Sequence, residues 1–360
     1  MEATIKGKKL FQRNRFWAGF LLAQFLLFFI FSKSELCISL FEKFFEVQKT
    51  VHQKIFSVFP FSVGDILYLA TGVWFLLLFL KILRNKNRKK ALRLALITFN
   101  VFYFLYQVFW GLLYFQTPLL KRMPTDKITL DETKSLALKY LELCKQTREQ
   151  VAEDPNGVFI LTNARELKKE ILKNQSTLPA FLNIEKHGTG ILSLKPSLFE
   201  GIMSFTGILG YYNPFTAEAQ YNSDLPPTYQ PFTLAHESSH QLGFAREQEA
   251  NFIGYLVGRE ANNADLRYST QYFVLKSLLR SLAEKNPDFV KTILSQYSSG
   301  MQRDRREEHK FNKEHEGFLE VFFGVSNDLF LKSNQQEGSV TYSYFVELMV
   351  RFERISPVKA

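Results

Sequence analysis

Cysteine is nearly absent: the 360-residue chain has two, Cys37 and Cys144. Two thiols make neither a disulfide framework nor a cysteine-built zinc site. Because Cys37 lies in a loop next to apolar segments, a bridge to Cys144 is not expected. Histidine is scarce as well, with six residues. Internal repeats and low-complexity linkers are missing. The net charge is +10, yet no RNA-binding signature or zinc-finger spacing accompanies it, so nucleic acid is not an expected partner. The basic residues instead border apolar segments, which is the pattern of membrane topology.

Charge is also missing from long runs near the start. Residues 16–32 read FWAGFLLAQFLLFFIFS, about long enough to cross a bilayer. Lys33, Ser34 and Glu35 follow where a cleaved leader would need small residues, so this run is read as a retained span. Residues 61–83 give a second span, with Asp65 near one end, and residues 94–115 a third that ends in Trp and Tyr. Lys6, Lys8, Lys9, Arg13 and Arg15 precede the first span; Arg84, Lys86, Arg88, Lys89, Lys90 and Arg93 join the second to the third. Basic loops stay cytoplasmic. The expected protein is therefore multi-pass in a membrane, with residues 1–116 as the membrane domain and 117–360 outside the cytoplasm. The loop from Lys33 to Pro60 carries Leu40, Phe41, Phe44 and Phe45 at helical spacing and reads as an interfacial helix.

The rest is ordinary globular sequence. Helical periodicity covers 130–151, with Asp131 or Thr133 as cap, then 164–173, 232–242, 245–259, 266–284, 287–296, about 302–331 and 340–352. Residues 157–161 and 190–194 read as short strands, and 211–222, with Pro214, as an edge strand or ordered loop. The expected architecture is mainly helical with a small sheet.

The chemistry lies in TLAHESSHQLGFAREQEANF, residues 233–252. His236 and His240 are four apart, so on a helix they share a face and can hold one metal ion. Glu237 stands where a general base would take a proton from a metal-activated water. A solvated polar helix face is the competing reading. Zinc needs a third protein ligand. On an unbroken helix Glu247 would lie about 10 Å past His240, too far to share a metal. Gly243, however, suits a helix C-cap that turns the chain back. A second helix from about Ala245 then returns Glu247 to the metal, with Asn251 one turn on, placed to bond the outer nitrogen of a ligand histidine. Glu249 points roughly 160° away from Glu247 and reads as a surface carboxylate paired with Arg246.

Together these stretches resemble a known family. EQEANF is similar to the Glu-x-x-x-Asp/Asn element of glutamate-ligand zincin peptidases. KPSLFEGIMSFTGILGYYNPFTAEAQYN, PFTLAHESSHQLGFAREQEANFIGYL, WGLLYFQTPL, PFSVGDILY and SYFVELMVRF resemble the domain of unknown function 3810 family of bacterial membrane proteins. The resemblance implies three transmembrane helices followed by a mainly α, α+β zincin-like metallopeptidase domain. It also implies Zn2+ on His236, His240 and Glu247, with Glu237 as base and a peptide or protein as substrate. A membrane-anchored sensor or scaffold that binds peptide without cleaving it is the alternative. The group that would stabilise the oxyanion is not visible; Tyr211, Tyr212, His309, His315 and Tyr342 are candidates, though each has a packing or surface role as its simpler explanation.

Overall fold

The structure, a computed structural model, describes residues 11–84, 87–178, 186–321, 323–324 and 341–357. Three helices are long and apolar enough to cross a membrane: α1 (Asn14–Phe31), α3 (Val63–Leu83) and α4 (Arg88–Phe109). Phe25, Phe29, Leu69, Leu76, Phe79 and Phe99 lie exposed on their outer faces, which lipid tolerates and water does not. Polar contacts tie the bundle: Gln24 Nε2 on α1 donates to Asn100 Oδ1 on α4 at 2.8 Å, buried, Asn100 Nδ2 donates to Trp17 O at 3.0 Å, and Trp74 Nε1 on α3 donates to Thr98 Oγ1 on α4 at 3.1 Å. This is a membrane protein.

The third apolar run behaves differently from a simple span. Its helix ends at Phe109, and residues Gly111–Phe115 form a 3-10 turn. Trp110, Leu112, Leu113 and Tyr114 are buried in protein. Hydropathy alone cannot tell a lipid contact from a core contact. The loop between the first two spans is a helix, α2 (Glu35–Phe56). It has two apolar faces where one was expected. Phe45 is buried, packing on Trp110 and Tyr212. Leu36, Leu40, Phe44, Val47, Val51 and Ile55 form an exposed stripe.

The remaining chain is helical with one small sheet. The helices are α5 (Leu130–Arg148), α6 (Ala164–Asn174), α7 (Glu200–Thr206), α8 (Gln230–Gln241), α9 (Glu247–Gly258), α10 (Ala264–Leu282), α11 (Pro287–Ser295), α12 (Ser299–His315) and α13 (Thr341–Ile355). The cap of α5 is Thr129 rather than Asp131 or Thr133. Its hydroxyl accepts from Glu132 N, and the Glu132 carboxylate accepts from Thr129 N, a reciprocal capping box. The helical stretch expected from 302 to 331 breaks after His315 and resumes at Phe318, and residues 325–331 of it lie outside those described. The sheet has the order β1-β3-β2, with strands β1 (Leu194–Pro196), β2 (Gly210–Asn213) and β3 (Glu218–Tyr221). Residues 211–222 are thus a hairpin whose second strand is central, parallel to β1 and antiparallel to β2. Residues 157–161 contribute only a bridge from Phe159 to Glu153, and β1 starts where the expected strand 190–194 was to end.

The main core joins α5, α9, α10 and α13 through Tyr140, Phe252, Tyr255, Tyr268, Leu275 and Phe352. Within it the buried hydroxyls of Tyr140 and Tyr255 bond each other, Oη to Oη at 2.9 Å. Both cysteines are free. The membrane part is built into this domain by two buried carboxylates. Glu218 on β3 accepts the backbone N–H groups of Val63 (3.2 Å) and Gly64 (2.6 Å) at the start of α3, and the Lys195 ammonium. It satisfies the open amides and the positive end of that helix. Asp65, in the first turn of α3, accepts from Leu198 N at 2.7 Å, Ser197 Oγ at 3.1 Å and the Tyr211 hydroxyl.

Candidate metal centre

Helix α8 carries His236, Glu237 and His240 and is buried nearly all round. Its polar side chains are therefore absorbed internally. Ser238 and Ser239 donate back to Ala235 O, and Gln241 donates to Ser193 O and Ala217 O. A solvated polar helix face is not what this is.

The helix ends at Gly243, whose φ of 92° is left-handed. Gly243 N donates to His240 O at 2.8 Å, and Phe244 N to Ser239 O at 3.3 Å. This is the Schellman pairing, in which glycine takes the conformation that a side chain resists. A Cβ there would also sit 2.7 Å from the Phe45 ring of α2. The reversal starts α9 at Glu247, so a carboxylate seven residues beyond His240 comes back beside it. Glu247 Oε2 lies 3.2 Å from His236 Nε2, and Oε1 lies 3.7 Å from His240 Nε2. One donor atom from each of the three residues falls within 4.8 Å of the others, a set that could hold a single metal ion.

The outer nitrogens are both fixed. His236 Nδ1 bonds Asn251 Oδ1 at 2.8 Å, and His240 Nδ1 bonds the Phe244 carbonyl at 2.7 Å. A carbonyl only accepts, so His240 carries its proton on Nδ1; Asn251 can impose the same on His236. Nε2 is then the ring atom that each histidine turns toward Glu247; without an ion it shares a proton with that carboxylate, and a bound metal would take the proton's place. Charge coupling within the cluster is strong. Burial opposes the charged His240 ring, but the Glu247 carboxylate overrides this and holds it up to about 9. Burial opposes the Glu247 charge too, and the His240 ring with hydrogen bonds from both imidazoles drives it well below the usual carboxylate range. Burial raises Glu237 to about 7 against the pull of His236 and His240. Its Oε2 is buried without a hydrogen-bond partner among the described residues. On its other side stands Gly210 of β2, where an added Cβ would lie 2.6 Å from Oε1. Only glycine lets the strand come this close.

Glu249 does not join the set. It is buried rather than exposed, and it accepts from Leu119 N at 2.8 Å and Arg246 Nη1 at 3.3 Å. It fastens the segment after α4 onto α9. The oxyanion candidates separate. The Tyr211 hydroxyl bonds Asp65 and Ser197. Tyr212 packs at a tilt against Trp110 with ring centroids 4.5 Å apart, its hydroxyl buried and without a hydrogen-bond partner among the described residues. His309 is exposed, His315 packs against Phe205 and Phe311, and the Tyr342 side chain lies outside the described residues. Two residues of the wall were not singled out from sequence. Trp110 sets its edge 5.8 Å from the His240 ring. Tyr114, fully buried, is raised by that burial, by Tyr106 and by the nearby Glu247 charge. Both come from an apolar run in which nothing marked them as more than membrane sequence.

The fold and site describe a membrane protein with a helical domain that gathers two histidines and a glutamate at one point. The chain belongs to the family described as Protein of unknown function (DUF3810), whose model matches residues 41–350. No curated protein and no solved structure matches it.

Proposed function

We propose that the protein is a membrane-anchored zinc metallopeptidase of the zincin type. The observation that carries this reading is the convergence of His236, His240 and Glu247 with both outer nitrogens fixed. Three protein ligands with nitrogen and carboxylate donors suit a catalytic zinc site, which keeps a further position for substrate or water. Zinc, when bound, supplies a Lewis acid that polarises a carbonyl and makes water acidic. Glu237 takes up a proton at its free carboxylate oxygen and later delivers it to the leaving amine. Its rise to about 7 suits that exchange. Asn251 and the Phe244 carbonyl hold the imidazoles in register.

The test is metal content of the detergent-solubilised full chain. About one zinc per chain is expected. The double variant His236→Ala, His240→Ala should lose it, whereas Glu249→Gln should keep it. Full zinc in the double variant would remove the basis of the site.

The domain bearing the site is placed outside the cytoplasm of a bacterial inner membrane. The basic residues before α1 and between α3 and α4 support this. An alkaline phosphatase fusion after residue 357 should be active, and a cytoplasmic reporter at the same point silent. The reverse pattern would invert the topology.

A further inference from the structure

The polar site is framed by apolar surface at the level where α3 enters the membrane. Leu198 is fixed there, because its N–H donates to Asp65 in the first turn of that helix. From Leu198 to Leu209 the exposed residues are Leu198, Gly201, Ile202, Phe205, Gly207 and Leu209, none of them charged. Ile202 is 61% exposed. Residues 317–321 run alongside, with Glu320 near Gly207, and add exposed Leu319 and Val321. Solvated domains seldom keep such a continuous patch without a use for it. On the other side, α2 joins the end of α1 to the start of α3 and holds the domain through Gln48 Nε2 to Pro214 O and Gln53 Nε2 to Ala217 O, with its apolar stripe left exposed. Between these two surfaces lie Gly210 beside Glu237, Tyr68 of α3 against Tyr211, and Trp110 beyond the end of α4 against His240.

We infer that this face rests in the bilayer surface, with α7 as a dipping lip, and that the site takes peptide chains anchored in or on the membrane. The substrate class rests on the hydrolase reading above; the membrane contact does not. The occupant of the patch is lipid because the patch continues the lipid-facing surface of α3. Anchoring confines a substrate to the layer in which the site lies and raises its local concentration. A freely dissolved peptide has no such advantage.

Two measurements on the full chain in lipid vesicles test this. In a Cys37→Ser background, an environment-sensitive fluorophore is attached at Ile202→Cys, or at Lys291→Cys on the charged surface of α11. Nitroxide lipids carrying the quencher just below the headgroup should quench the first several-fold more than the second. Equal quenching overturns the membrane contact. The second measurement compares one mixed-sequence fluorogenic peptide library with and without an N-terminal palmitoyl chain, using the zinc-loaded protein. Palmitoylated peptides should be cut at least about tenfold faster. Ile202→Glu with Phe205→Glu should bring the two rates close together while zinc content and cleavage of free peptide persist. Equal cleavage by the unsubstituted protein overturns the substrate class and leaves the hydrolase standing. Cleavage of neither library overturns the hydrolase reading and the substrate class together, and the quenching result still decides the membrane contact.

Discussion

Glu237→Gln is expected to lower peptide cleavage by at least about a hundredfold, the usual scale for a general base, and to leave zinc bound. The two halves of that result have separate origins. Glu237 does not belong to the converging set, whose donors are His236, His240 and Glu247, so an amide in its place removes no ligand. The substitution keeps the shape that Gly210 accommodates, and the helix around it should not move. What disappears is a carboxylate that can hold a proton near neutrality. Cleavage rate and zinc content are measured on the same samples of the full chain. A variant as fast as its parent would rule out the base. A parent that binds zinc and cleaves nothing would favour a scaffold instead.

Glu218→Ala is expected to destabilise the protein by about 3–5 kcal/mol, the range for breaking a buried ion pair on one side. Glu218 and Lys195 are both buried. Removing the carboxylate leaves the ammonium with only the Phe56 and Phe61 carbonyls and strips the amides of Val63 and Gly64 of their acceptor. Glu218→Gln, which can still accept, should cost less. Thermal unfolding of the solubilised chain, followed by circular dichroism, should show a clear drop in midpoint for the alanine variant and a smaller one for glutamine. Coincident curves for all three proteins would mean that the buried pair adds nothing.

The placement of the site residues was legible because it is local. Two histidines one turn apart, a glycine at the helix end and a glutamate one turn before an asparagine are relations within sixteen residues of sequence. They depend only on helix period and cap geometry. Relations across the fold were not legible in the same way. The helical wheel correctly turned Glu249 away from Glu247, but it could not say that the other side was protein and not water. Trp110 and Tyr114 sit in a run whose apolar character suits lipid and core equally. Pro214 leaves residues 211–222 open as an edge strand or an ordered loop, whereas the chain makes a tight hairpin of edge strand β2 and central strand β3. There Asn213 Oδ1 accepts from Phe215 N, and Ala217 takes a φ of 54°, a conformation costly enough that residue identity does not announce it. The three spans needed only length and composition, although the third is shorter than its hydropathy because its end is buried in protein beside His240.

Phe45 belongs to the link between the first two spans, yet it occupies the space that any side chain at position 243 would need. The turn that brings Glu247 back is therefore moulded on one side by a residue of the membrane part, and Trp110 finishes the same wall. Such a domain is not a cargo hung from an anchor. A chain cut at Gln116 would lose the counterpart against which the turn at Gly243 is packed, and grafting residues 117–360 onto another anchor would carry His236, His240 and Glu247 without their mould. The family match begins at residue 41, inside α2, so the matched stretch spans the positions of Phe45 and Trp110 as well as those of the histidines.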